Sequence, residues 1–131
     1  MESLLTVGVG GFFGAIARYL LTLAANHALT PALGAFPYGT LLVNVLGSFG
    51  LALFGFWFGE RAGLSPQLRL LVGNGFFGAF TTFSAFANES YVLASEGRIA
   101  LFLLNTILNY GLCLLGVALG ILLGSRAFGA A

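Results

Sequence analysis

Long runs without charge are the feature that most constrains this chain. Its five basic and four acidic residues leave residues 19–59 and 99–125 free of any Asp, Glu, Lys or Arg. A helix needs about 20 apolar residues to cross the hydrocarbon core of a bilayer. Both runs are longer than that, and the mean hydropathy of the chain is +1.01. The sequence therefore predicts an all-α membrane protein rather than a soluble domain.

Four segments are long enough to cross the membrane, and they comprise residues 4–25, 38–58, 66–94 and 99–124. A loop is predicted over residues 26–37, which include Pro31 and Pro37. Because the connections are short, we expect one domain over residues 1–131, a compact bundle in the cell (inner) membrane. The net charge of +1 offers no basic patch to a nucleic acid.

The third segment carries its glycines and hydroxyl residues at its centre, over residues 75–84. A helix interrupted there exposes backbone groups that only protein or an ion pathway can satisfy. We therefore consider a helix broken at mid-membrane. A continuous helix with close-packed glycines is the alternative, because Gly and Thr are common where membrane helices touch. Packing also accounts for small residues four apart elsewhere, such as Gly10 and Gly14.

The arginines are almost evenly divided between the two sides of the predicted bundle. Four spans place Arg61, Arg69 and Arg126 on one side, with Arg18 and Arg98 towards the other. The positive-inside rule then gives only a weak orientation bias. The chain is balanced enough to insert both ways round.

Neutral polar residues form stripes within the spans. Thr40, Asn44 and Ser48 are four residues apart and share one helix face, as do Asn105 and Asn109. Such stripes either line a narrow route or form hydrogen bonds between helices, the latter worth about 0.6 kcal/mol each on average.

Amide and hydroxyl groups can donate hydrogen bonds to an anion. Glu89 is the one acid within a predicted span, and it lies towards an end. Phe83 and Phe86 are three apart, and aromatic ring edges are electropositive, although phenylalanines facing lipid would explain them as well. A nucleophile paired with a base is absent from the sequence pattern, so we predict no enzyme.

Three motifs, taken together, resemble one family. They are GGFFGAIARY at residues 10–19, GTLLVNVLGSF at residues 39–49 and GFFGAFTTFSAF at residues 75–86. In order, over a chain of matching length, they are similar to the Fluc, or CrcB, fluoride channels. The resemblance covers essentially the whole chain.

The resemblance implies an antiparallel, dual-topology homodimer of four-helix subunits with two fluoride pores, which exports fluoride passively. The residues it implies along the fluoride pathway are Asn44, Phe83, Phe86, Thr40, Ser84, Asn105 and Asn109. The backbone carbonyls of Gly78 and Thr81 match positions that hold a structural Na⁺ at the dimer interface. Arg18 matches an arginine at a vestibule or helix end. Asn105 and Asn109 depart from the family, where smaller hydroxyl residues or Tyr are expected.

Two other functions would suit a chain of this size. One is a structural or assembly subunit without transport of its own. The other is a small dual-topology exporter that couples a proton to its cargo, which needs a buried Glu in the first span. Residues 6–25 contain no acid, which argues against that exporter.

Overall fold

The computed structural model describes residues 1–60 and 65–128, so Arg61 lies outside the described residues. The elements are α1 (Glu2–Leu33), α2 (Tyr38–Glu60), α3 (Pro66–Leu68), a π-helix (Arg69–Phe77), α4 (Gly78–Phe80), α5 (Phe83–Ser95) and α6 (Ile99–Phe128). Four stretches are long and apolar enough to cross a membrane: Glu2–Leu33, Tyr38–Phe58, Pro66–Ser95 and Ile99–Ala127. The predicted number of spans, four, is confirmed, and the chain is a multi-pass membrane protein.

The first helix is longer than the sequence predicts. α1 continues to Leu33, so its predicted end at residue 25 is wrong. Pro31 lies in the last turn of the helix. It has no N–H and so leaves one hydrogen bond unformed, at an end where the last carbonyl groups lack partners within the helix in any case. Gly34 then ends the helix with φ 85°, and its N–H donates to the Thr30 carbonyl at 3.0 Å. Only residues 34–37 remain between the first two spans.

Polar contacts fix the short turn between α1 and α2. The Gly39 amide donates to Asn26 Oδ1 at 2.9 Å, which joins the start of α2 to the last part of α1. Arg98 Nη2 donates to the Ala35 carbonyl at 2.6 Å and so ties the turn to the start of α6. The beginning of α2, and the polar face that follows it, are therefore held in a defined position.

Glycines let α1 approach the π-helix backbone to backbone. A Cβ on Gly10 would overlap the Leu71 carbonyl, and a Cβ on Gly14 would overlap the Phe76 carbonyl. The packing role predicted for these two glycines is confirmed. A π-helix of nine residues is unusual, since most occur as single turns near functional sites.

The third span contains two residues in extended conformation. α4 ends at Phe80, Thr81 has φ −80° and ψ 160°, and Thr82 has φ −151° and ψ 108°. α5 then begins at Phe83, and Thr82 Oγ1 accepts a hydrogen bond from the Ala85 amide at 3.2 Å. Thr is a favourable N-cap, and its branched Cβ suits an extended backbone. We call Thr81 and Thr82 the extended pair.

Several polar side chains are buried inside the bundle, and many large apolar side chains lie on its outside. Thr40, Asn105 and Asn109 are buried, whereas Leu5 and Phe12 are mostly exposed. This is the reverse of a water-soluble protein, where buried polar groups are the exception. Lipid can cover the outer apolar surface, so the polar interior is where a function is to be sought.

Candidate anion pathway

Asn44 forms a two-point hydrogen bond with the extended pair. Its Oδ1 accepts from the Thr82 amide at 2.8 Å, and its Nδ2 donates to the Thr82 carbonyl at 3.2 Å. In a continuous helix the Thr82 amide would donate to the Gly78 carbonyl. Asn44 Oδ1, from α2, therefore accepts from the Thr82 amide in place of the helical carbonyl.

The asparagines of α6 continue from Asn44. Asn44 Nδ2 also donates to Asn109 Oδ1 at 3.1 Å. Asn109 Nδ2 donates to the backbone carbonyl of Asn105 at 3.0 Å and to its Oδ1 at 2.9 Å. Asn105 Nδ2 donates to Ser90 Oγ at 3.0 Å. A chain of side-chain amides thus joins α2, α6 and α5, and we call Asn44, Asn109, Asn105 and Ser90 the amide chain.

An open cavity of about 410 Å³ lies beside the extended pair. Phe83 and Phe86 form part of its wall, with ring centroids 5.7 Å apart and planes inclined by 57°. Its remaining lining residues are Asn44, Ser48, Leu51, Thr81, Thr82, Asn109, Tyr110, Cys113, Leu114 and Val117. The cavity, which we call the aromatic cavity, combines hydrogen-bond donors with aromatic ring edges.

A second open cavity, of about 510 Å³, lies on the other side of Thr82. It is lined by Ala15, Arg18, Tyr19, Thr22, Thr40, Thr82, Ser84, Ala85 and Glu89. Thr82 belongs to both cavities, and its Oγ1 lies 3.4 Å from Ser84 Oγ. Hydroxyl groups therefore lie on both sides of the extended pair. We call this the hydroxyl cavity.

Glu89 has a place in the hydroxyl cavity that sequence reasoning did not assign. Thr40 Oγ1 donates to Glu89 Oε1 at 2.7 Å, and the other oxygen, Oε2, is buried without a hydrogen-bond partner among the described residues. A buried carboxyl oxygen without a partner is costly, and such groups merit a functional explanation. The signal in the sequence was the position of an acid within an apolar span.

The predicted pathway residues are divided among three places. The aromatic cavity brings together Asn44, Phe83, Phe86 and Asn109, and the hydroxyl cavity brings together Thr40 and Ser84. Arg18, predicted at a vestibule or helix end, also lines the hydroxyl cavity. Asn105 lines neither of these two cavities, and its exposed fraction is 0%. Whether these residues conduct an ion stays a prediction.

The backbone around Gly78 suits a hard cation chemically. The Thr82 amide is taken by Asn44, so the Gly78 carbonyl loses its α-helical donor, and the ψ of 160° turns the Thr81 carbonyl away from a helical direction. A Cβ placed on Gly78 would meet no atom within 4 Å, so this side of the backbone is open. Carbonyl oxygens are ligands that Na⁺ accepts, as ion filters show.

Comparison with known proteins identifies the family. The profile of the family described as CrcB-like protein, Camphor Resistance (CrcB), matches residues 5–121. The chain belongs to the CrcB family. Curated CrcB relatives named fluoride-specific ion channel FluC come from Shewanella halifaxensis, at 42% identity, and from Shewanella sp. strain ANA-3 and Shewanella baltica strain OS185, each at 44%. Each alignment covers 92% of this chain and 94% of the relative.

The CrcB match includes all three motifs and both cavities. Residues 5–121 contain the glycines of α1, the extended pair and the amide chain. The match to the family thus spans the part of the chain that lines both cavities.

Proposed function

We propose that this protein is a passive channel that lets cytoplasmic fluoride leave the cell. The observation that carries the proposal is the 42–44% identity to proteins named fluoride-specific ion channel FluC, over 92% of the chain. The polar interior supports it, because amides and hydroxyls of moderate strength lie where a small anion would lose its water.

The proposed route joins the two cavities past the extended pair. Fluoride is small and strongly hydrated, so the route must replace its water without binding it too tightly. Neutral donors such as Ser84 suit that requirement better than a buried cation would. The N–H groups of Asn44 already donate to Thr82 and Asn109, so fluoride would have to displace one of those acceptors as it passes. Arg18 and Glu89 both lie on the wall of the hydroxyl cavity, so the attraction of Arg18 for an anion is partly offset by the carboxyl group of Glu89.

Phe83 and Phe86 would complete the route with their ring edges. Hydrogen atoms at the edge of an aromatic ring carry partial positive charge and can approach an anion. Phe86 is buried, whereas Phe83 is 71% exposed in the single protomer. A ring that participates in a closed pathway needs a cover on that exposed side.

A second copy, inserted in the opposite orientation, is the cover that we propose. The nearly balanced arginines suit dual insertion, and the single protomer leaves the aromatic cavity open. An antiparallel homodimer has two equivalent aromatic cavities and hence two pores. It would bring the extended pairs of both subunits near the two-fold axis, with the helix interruption at mid-membrane.

A structural Na⁺ would suit the interface of that dimer. The carbonyls of Gly78 and Thr81 from each subunit would hold it, and the ion would neutralise backbone dipoles that the extended pair leaves unsatisfied. Replacing all Na⁺ with the large cation N-methylglucamine should then weaken the dimer. Dimer strength unchanged by that exchange would remove the case for Na⁺ here.

Fluoride efflux from liposomes containing the purified protein tests the proposed function. A fluoride electrode should record rapid release, whereas a chloride electrode under the same gradient should record none. A correctly inserted protein that releases no fluoride would overturn the proposal, and equal release of both anions would overturn its selectivity.

A further inference from the structure

Asn105 is polar, fully buried and outside both cavities, so contact with a passing ion does not account for it. We propose that Asn105 is a positioning residue, which acts through Asn109 to fix the orientation of the Asn44 amide. The inference rests on the proposed function only for its consequence in conduction, since the orientation itself is a structural property.

The first fixed point is a backbone carbonyl. The carbonyl of Asn105 can only accept, so Asn109 must turn its Nδ2 towards it, at 3.0 Å. Asn105 Oδ1 accepts from the same NH₂ group at 2.9 Å, and Asn105 Nδ2 donates to Ser90 Oγ. The amide of Asn109 therefore has one permitted orientation, with Oδ1 pointing to Asn44.

The second fixed point is a backbone amide. The Thr82 N–H can only donate, so Asn44 must turn its Oδ1 towards it, at 2.8 Å. Asn44 Nδ2 then meets Asn109 Oδ1 at 3.1 Å. The two fixed points agree on one polarity, in which every amide of the chain donates in the direction from Asn44 to Ser90.

This polarity decides which side of Asn44 presents N–H groups. A flipped Asn44 amide would place NH₂ against the Thr82 N–H and oxygen against Asn109 Oδ1, so that donors face donors and acceptors face acceptors. The two N–H groups of Asn44 donate to the Thr82 carbonyl and to Asn109 Oδ1, so an anion in the aromatic cavity would have to take the place of one of these acceptors. Without the Asn105 side chain, the backbone carbonyl of residue 105 still accepts from Asn109 Nδ2, but the second acceptor, Oδ1, is lost. The Asn109 amide is then held less firmly, and so is its contact with Asn44.

The test uses Asn105→Leu, which keeps the branched shape and the number of side-chain heavy atoms and removes both the donor and the side-chain acceptor. Thr106→Val is the matched control. It lies next in the same helix, and its hydroxyl donates only within the helix, to the Phe102 carbonyl at 2.9 Å. Ser90→Ala is a milder second variant, which removes only the far end of the chain.

Two measurements are made on the intact dimer. The first is the ¹⁵N–¹H signal of the Asn44 side-chain amide, assigned by its loss in Asn44→Ala. The second is the unitary fluoride conductance in planar bilayers, which depends on each open channel and not on how many molecules are folded. The double variant Asn105→Leu/Asn109→Leu completes a cycle with its two single variants.

We expect Asn105→Leu to shift the Asn44 amide signal and to lower the unitary conductance about fivefold. That is the fold-change expected when one net hydrogen bond is lost. Ser90→Ala should act in the same direction with a smaller effect, and Thr106→Val should change neither quantity. The double variant should conduct no less than Asn109→Leu alone, because Asn105 acts through Asn109.

An unmoved Asn44 signal in Asn105→Leu and in Ser90→Ala would overturn the inference. Fewer channels of unchanged unitary conductance would also overturn it, since that is the result of a purely structural role. If the fold-loss of unitary conductance in the double variant equals the product of the two single losses, Asn105 acts independently of Asn109, which would also overturn the inference. A wild-type protein without fluoride current would refute the proposed function instead, and the amide signal would still decide the positioning role.

Discussion

Replacing Asn44 with aspartate exchanges one NH₂ group for an oxygen and changes almost no volume. Oδ1 can still accept from the Thr82 amide, as it does at 2.8 Å in the wild type. The new oxygen would face the Thr82 carbonyl, now 3.2 Å from Nδ2, and Asn109 Oδ1, now 3.1 Å from Nδ2. Two hydrogen bonds become two contacts between acceptors.

The expected size follows from those two bonds. Each net hydrogen bond contributes about 1 kcal/mol, so losing two costs about 2 kcal/mol, before any repulsion is added. If this free-energy cost destabilises the arrangement of side chains that conducts fluoride, the flux decreases by about thirtyfold. A negative charge beside the route would repel fluoride and reduce the flux further.

Fluoride efflux from liposomes measures the effect, with size-exclusion chromatography to verify that the variant remains assembled. Asn88→Asp is the matched control, because Asn88 is exposed on α5 and lines neither the aromatic nor the hydroxyl cavity. We expect the control to conduct like the wild type. Asn44→Asp with flux within about threefold of that control would refute the reasoning, because the two lost bonds would then have no bearing on conduction.

Three further predictions concern other parts of the molecule. Phe83→Ile should lower fluoride efflux about tenfold while leaving assembly intact, because a ring edge is lost. Undiminished efflux would show that Phe83 does not line the route. Gly10→Ala should lower the free energy of unfolding by about 2 kcal/mol, because a Cβ there has no room. Gly8→Ala is the control, because a Cβ at Gly8 enters open space and should leave that free energy unchanged. Thermal unfolding in detergent measures both. Thr40→Val removes the hydrogen bond to Glu89 and should reduce fluoride efflux about fivefold. Efflux at the wild-type rate would show that this hydrogen bond has no part in conduction.

Much of the fold was predictable because the bilayer restricts the choices. Uncharged runs longer than a hydrocarbon core predict spans directly, and the structure has all four. The end of α1 was not predictable from Pro31, because a proline in a final turn is compatible with a helix that tertiary contacts extend. Asn26, which appeared to belong to a loop, instead accepts from the start of α2.

For the candidate site, the sequence predicts which polar residues share a face of one helix, but it does not predict which residues of other helices they contact. A spacing of four places Asn105 and Asn109 on one side of α6, yet it gives no information about the opposing helix. Ser90 and Glu89 are adjacent in α5, and their partners come from α6 and α2 respectively. Such pairings depend on how helices are rotated against one another, which residue spacing within a single helix does not encode.

The length of α1 connects the protein to the thickness of its membrane. Its 32 residues span ~48 Å, against a hydrocarbon core of about 30 Å. A helix so mismatched must tilt or project beyond the lipid, and its tilt follows bilayer thickness. Because Gly10 and Gly14 touch the π-helix without intervening side chains, a change in that tilt would act on the backbone that leads into the extended pair. Fluoride efflux should therefore differ between liposomes of thin and thick bilayers, and equal efflux in both would show that the tilt of α1 has no influence on the pathway.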